Sequence, residues 1–245
     1  MYSPRNRKLA VAVAVAAAVL IPAVQQGFGL GQSQAEFAAR GDETLRAAGY
    51  AFSIWGLIYL GLVIFAVHHT RSRDSRALAA IGWPAALAAL GCGLWIVAAA
   101  ANAMSATVII ILTAAAGALT AVLRGAPLAT GRDRLLALIP VALLAGWLTV
   151  AAPLNVLTAL SAAEMIPPWA MGAAATAGVA LVLVVALLVT WKSRVWAYPL
   201  PAAWGLVAVY VAERADKPVI AWTALAAAVA LVLAAAMAGI WRQPA

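Results

Sequence analysis

Apolar residues along this chain come in long uninterrupted runs rather than in alternation with polar ones. Eight runs read as membrane spans: Leu9–Val24, Tyr50–His69, Ala77–Ala101, Ala106–Leu123, Leu135–Leu157, Trp169–Trp191, Val195–Val211 and Val219–Trp241. A helix rises about 1.5 Å per residue and the hydrocarbon core is about 30 Å thick, so roughly 20 apolar residues cross it. Runs this long and continuous exclude a transmembrane β-barrel, whose strands alternate. The pattern predicts an all-α fold, a polytopic membrane helix bundle of about eight spans. The seventh run is short, and Pro199 and Pro201 within it predict a kinked or interrupted helix. The first run follows Arg5, Arg7 and Lys8 and reads as a retained helix. A cleaved signal peptide is the rival reading, although no small-x-small cleavage site follows.

The longest polar connection is Gln25–Gly49, which carries Glu36, Arg40, Asp42, Glu43 and Arg46. It reads as a solvated connection, with a short surface helix around Ala35–Leu45 as the alternative. Lys and Arg set the orientation. Twelve of the 16 fall in segments on one side: Arg5, Arg7, Lys8, Arg71, Arg73, Arg76, Arg124, Arg132, Arg134, Lys192, Arg194 and Arg242. Arg40, Arg46, Arg214 and Lys217 fall on the other. Basic loops stay in the cytoplasm, so both termini are expected inside and Gln25–Gly49 outside.

Composition narrows the class further. Of 245 residues, 66% are hydrophobic and 10% charged, with a mean hydropathy of +0.99. Soluble domains run at about 45–50% apolar and about 25% charged. A soluble enzyme, a disordered chain and a single-anchor protein are therefore excluded. The net charge of +8 sits in loop clusters between apolar runs, which points to the membrane face and not to nucleic acid.

Candidate chemistry is sparse. The single cysteine, Cys92, cannot form an intramolecular disulfide or a thiolate metal site. No Asp, Glu, Lys or Arg falls inside a span, which argues against a proton-coupled carrier or an ion pump. Glu164 and Glu213 at outer span ends, and His68 and His69 at an inner end, are expected to be solvated. No metalloprotease, nucleophile-elbow or phosphate-loop motif is present. Neither a catalytic nor a metal-ligating set is expected, and no enzyme. Rows of small residues, Ala226/Ala230/Ala234/Ala238 and Ala85/Ala89/Gly93, predict close helix packing. Nine of the 10 tryptophans divide by depth. Trp169, Trp191, Trp196, Trp222 and Trp241 lie at span ends and read as the interfacial belt. Trp55, Trp95, Trp147 and Trp204 lie deeper, where an indole N–H wants a partner. They read either as helix packing or as the wall of a cavity.

Three segments bear on that choice. The first runs Gly49-Tyr50-Ala51-Phe52-Ser53-Ile54-Trp55-Gly56-Leu57-Ile58-Tyr59-Leu60-Gly61, with Trp55 and Tyr59 four apart on one helix face. The second is Trp147-Leu148-Thr149-Val150-Ala151-Ala152-Pro153-Leu154-Asn155, with Pro140 ahead of it. The third is Cys92-Gly93-Leu94-Trp95. Together they resemble the TspO/MBR family of translocator and tryptophan-rich sensory proteins, in its long bacterial form. The family's third helix has Asn-x-x-Trp, and here Cys92 stands in place of that Asn. The resemblance covers about residues 48–160, with the first span included. It divides the chain into a five-helix core, 1–160, and additional transmembrane helices, 161–245.

The resemblance implies a bundle around a ligand cavity in a bacterial inner membrane. It implies an integral membrane, sensor-like protein that binds a tetrapyrrole, porphyrin or haem, or a sterol-like apolar molecule. Trp55, Tyr59, Trp95, Trp147 and Asn155 are the expected ligand-binding residues, in the outer half of the bundle. For Asn155, a solvated or helix-capping role is the competing reading. Expected partners are the lipid bilayer and a hydrophobic small molecule, with a homodimer compatible with the pattern. No resident cofactor is required by the residues; porphyrin or haem enters as ligand. Functions of other classes remain: an uncoupled permease or exporter for an apolar solute, a membrane-embedded enzyme, or a structural role.

Overall fold

A computed structural model describes residues 3–40 and 44–240. Asp42, Glu43, Trp241 and Arg242 lie outside the described residues, so the belt role of Trp241 has no structural counterpart here. Among the described residues the chain is helical without strands. Helix α1 is Pro4–Gly27, α2 is Gln34–Ala39, α3 is Ile54–Arg71, α4 is Arg76–Ala100 and α5 is Met104–Gly125. Helix α6 spans Gly131–Ala162 and includes a π-helical segment, Arg134–Leu138. Helices α7, α8 and α9 are Met171–Ser193, Pro199–Glu213 and Pro218–Ile240. Seven of these helical segments are long and apolar enough to cross a membrane, and α8 is a shorter apolar helix. The protein is a multi-pass membrane helix bundle.

Helix α6 is the hub. In its most apolar window 72% of residues are buried, against 33% for α1 and for α7. It packs on α3, α5, α7 and α8, while α1 and α4 close one side of the bundle and α9 the other. Small residues make this central position workable. A Cβ built on Gly146 would lie 1.9 Å from the Tyr198 carbonyl oxygen, so the start of α8 touches the backbone of α6. Gly93 likewise brings α4 onto α1, its Cβ position 3.1 Å from the Ala17 carbonyl oxygen. The Ala85/Ala89/Gly93 row is buried as the spacing predicts. The last helix differs. Its buried face carries Ala224, Ala228, Leu231, Ala235 and Ala238, while Ala226 is exposed and Ala230 and Ala234 are half-buried. Alanine is so frequent in this helix that more than one face shows the four-residue repeat.

The prolines of the seventh run do not interrupt a helix. Pro199 and Pro201 occupy the first turn of α8, where backbone N–H groups have no intrahelical acceptor to lose. The helix is instead short: its 15 residues reach about 22 Å. A turn with Val195, Ala197 and Tyr198 fully packed leads into it. The Tyr198 hydroxyl lies 2.8 Å from Thr149 Oγ1 on α6.

Of the residues expected in solvent, His69 and Glu213 are buried and His68 is half-buried. His69 is fully enclosed, with Nε2 3.2 Å from the Leu78 carbonyl oxygen. His68 Nε2 lies 2.8 Å from Asp133 Oδ1, and Asp133 Oδ2 accepts from the Ser75 hydroxyl at 2.6 Å. Arg7 pairs with Asp74 beside them, and Lys8 Nζ donates to the Ser72 carbonyl at 2.7 Å. The α3–α4 turn thus folds beneath neighbouring helix ends, which supply partners that water would otherwise supply. Glu213 is the third case, at the opposite end of the bundle. Glu164 is exposed as expected. Trp169, Trp191, Trp196 and Trp222 face outward from the bundle.

Candidate functional site

The connection after α1 returns over the end of the bundle and forms a cover. Ser33 caps α2, accepting from the Glu36 N–H at 3.2 Å, and the Glu36 carboxylate accepts from the Ser33 N–H at 2.6 Å. These bonds hold the Glu36 carboxyl below its usual range, with the backbone N–H the larger cause and the hydroxyl second. The helix is shorter than Ala35–Leu45 and is not a surface helix, because Phe37 and Gln34 on one face are buried. Gln32 Nε2 donates to the Ala99 carbonyl at 2.7 Å, and Arg40 Nη1 to Asn102 Oδ1 at 2.6 Å. Both bonds pin the cover to the α4–α5 turn.

The returning segment, 44–51, is stapled to the far end of α8. Ala48 N–H donates to the Ala208 carbonyl at 3.0 Å, and Trp204 Nε1 to the Ala51 carbonyl at 3.1 Å. Arg46 N–H donates to Glu213 Oε1 at 2.9 Å, and Arg46 Nη2 to Asp216 Oδ2 at 2.9 Å. Lys217 Nζ reaches Glu213 Oε2 at 3.3 Å and donates to the Thr44 carbonyl at 3.0 Å. Two cations and two carboxylates therefore share this corner. Glu213 is enclosed because it closes the corner from beneath; a run of apolar residues before it does not reveal that.

Under the cover lies a partly enclosed cavity. Its volume is about 80 Å³. Trp55, Trp95, Trp147 and Asn155 all line it. They come from three helices, α3, α4 and α6. The edge of Trp147 meets both Trp55 and Phe52, with ring centroids 6.2 and 6.3 Å apart. Phe37 of the cover stands edge-on to Trp95 at 5.3 Å. Tyr59 does not reach the cavity. It stacks on Trp55 at 5.2 Å and 24°, a backing for that indole.

Asn155 is neither solvated nor a cap; it is 4% exposed. Its Oδ1 accepts from Trp95 Nε1 at 2.5 Å and its Nδ2 donates to Thr107 Oγ1 at 3.1 Å. Both ends of the amide are thereby taken up in tying α6 to α4 and α5. Its part at the wall is to fix the Trp95 ring. Trp204, read as a deeper residue, is 39% exposed and edge-on to Tyr50.

Gln34, Phe37, Leu45 and Arg46 also line the cavity and were not anticipated. They belong to a segment whose charges read as solvent. The Ser33–Glu36 spacing is a capping-box signal, and Phe37 behind it is an apolar residue in polar company. Together these were the available clues. Cys92 lines the wall where the resembling family carries Asn. Larger hollows, such as about 690 Å³ between α7 and the start of α9, open on the outer face of the bundle. They carry aliphatic and small residues without an aromatic wall. Among the described residues, no three His, Cys, Asp or Glu side chains come together to hold a metal.

A multi-pass helix bundle with a partly enclosed, tryptophan-lined cavity at one end is what these observations define. The chain matches the model of the TSPO-like protein family over residues 8–237, and it belongs to that family. The match runs through α7, α8 and most of α9 as well as the segments that carried the resemblance. No curated protein and no solved structure shows a significant match to it.

Proposed function

We propose that this protein is a sensor-like membrane receptor for a tetrapyrrole, porphyrin or haem, or a related flat apolar molecule. The observation that supports this reading is the convergence of Trp55, Trp95, Trp147, Phe37 and Phe52 on one partly enclosed space. Flat rings offer large contact area at small entropic cost, and a few polar groups orient the bound molecule. Among the described residues the wall contains neither a carboxylate nor a histidine. Such a lining suits binding, with ring contacts to hold a macrocycle. A tetrapyrrole is larger than the room now open beneath the cover, so binding one requires the cavity to widen. The charge pattern supports a cover outside the cell and both termini in the cytoplasm, and the family resemblance supports a bacterial inner membrane.

Titration of detergent-solubilised protein with protoporphyrin tests the reading through quenching of tryptophan emission. Trp55→Ala and Trp147→Ala are each expected to weaken binding by about 1–3 kcal/mol, as for aromatic stacking on a base. Trp191→Ala, at the opposite end and outward-facing, leaves affinity unchanged. Equal losses from all three would refute the cavity as the site.

A further inference from the structure

One acceptor in the cavity wall has no counterpart among the described residues. The aliphatic side chains ask nothing of a bound molecule but contact, the indole N–H groups of Trp55 and Trp147 can donate but not accept, and the Asn155 amide is taken up by Trp95 and Thr107. Gln34, in the first turn of α2, is 8% exposed and lines the same space. Its Oε1 is fully enclosed and has no hydrogen-bond partner among the described residues. Buried acceptors are nearly always satisfied, because leaving one unmade forfeits its hydration without return. An unmet acceptor on a cavity wall is a place for a donor that the chain does not provide.

Charge points the same way. Arg46 shares this end of the cavity, but its guanidinium already faces Glu213 at 3.8 Å and Asp216 at 2.9 Å. Lys217 also pairs with Glu213. The corner is close to neutral, and an incoming carboxylate would meet Glu213, Asp216 and the Gln34 oxygen along with Arg46. An uncharged donor meets no such opposition.

We propose that Gln34 determines specificity at this site by selecting ligands with an uncharged N–H or O–H donor on the edge of a flat apolar ring system. The proposal rests on the ligand-binding reading above and names the class within it. Within that reading the site favours an open-chain tetrapyrrole or a hydroxylated ring system, because the N–H groups of a porphyrin face its centre and its edge carries no uncharged donor.

The test uses two probes that differ by one O–H: 1-hydroxypyrene and 1-methoxypyrene. Both are flat and apolar, and both accept energy from tryptophan. Each is titrated into the full chain in detergent, with partition into protein-free micelles subtracted. The unmodified chain is expected to bind the alcohol about tenfold tighter than the ether, the effect of one buried hydrogen bond. Gln34→Leu brings the two affinities within about twofold while leaving that for the ether unchanged, and Gln34→Glu, which keeps an acceptor oxygen, retains the preference. Equal affinities in the unmodified chain, or a preference that survives Gln34→Leu, overturn the proposal. So does tighter binding of the ether, which would mean that the amide presents its NH₂ group. The first comparison requires no variant to fold. Saturable binding of neither probe overturns the cavity reading itself, and the proposal with it.

Discussion

The contact between α6 and the start of α8 can be probed by adding a single methyl group. In Gly146→Ala the new Cβ would sit 1.9 Å from the Tyr198 carbonyl oxygen and 3.1 Å from Pro201 Cδ. Ordinary carbon–oxygen contact needs about 3.3 Å, so α8 must retreat by roughly 1.4 Å. The obstructing atom is backbone, held in a turn ahead of two prolines, and has no rotamer to escape into. Overpacking costs about 1–3 kcal/mol in ordinary cores, and this site belongs at the upper end. For a chain of this size each kcal/mol lowers the melting temperature by about 2–4 °C, so a fall of roughly 6–12 °C is expected. Cys92 supplies the assay, since it is the one cysteine and is buried. A thiol-reactive fluorogenic dye reports unfolding in detergent as that thiol becomes accessible. Gly56→Ala is the control: nothing lies within 4 Å of its Cβ position. Alanine favours a helix over glycine by about 1 kcal/mol, so this variant should melt at or slightly above the parent temperature. If Gly146→Ala melts within about 2 °C of the parent, the backbone contact between α6 and α8 is wrong.

Asn155→Leu removes the acceptor of Trp95 and the donor to Thr107, each an interhelical bond worth about 0.6–2 kcal/mol in a membrane. The same dye assay should show a clear fall in melting temperature; an unchanged transition would deny Asn155 its tying role. Orientation is read by impermeant thiol labelling in a Cys92→Ala background. Ala35→Cys on the cover is expected to label only from outside and Arg73→Cys only from inside, both sites being exposed. Labelling of both from one side would reject the proposed orientation.

The number and order of the apolar helices were legible along the chain because a membrane helix must satisfy its backbone within itself. Each apolar run is therefore a complete statement about one element, and eight runs became eight helices without reference to one another. Trp55 and Tyr59 could be placed on one face by spacing alone, and so could the buried row Ala85/Ala89/Gly93. What those faces meet was not legible. Tyr59 lies behind Trp55 and not in the cavity because the turn of α3 toward α6 decides which ring looks inward. His68, His69 and Glu213 looked solvated because they stand at helix ends, yet a helix end is wet only if no other element covers it. The cover itself shows the same limit. Gln34, Phe37 and Leu45 lie in a segment of polar composition, and their burial depends on its bonds to Ala99, Asn102, Ala208 and Glu213, far away in the chain. Local pattern determines which segments become helices, because that free energy is local. Burial, partnership and enclosure are properties of pairs of segments, and only the packed bundle decides them.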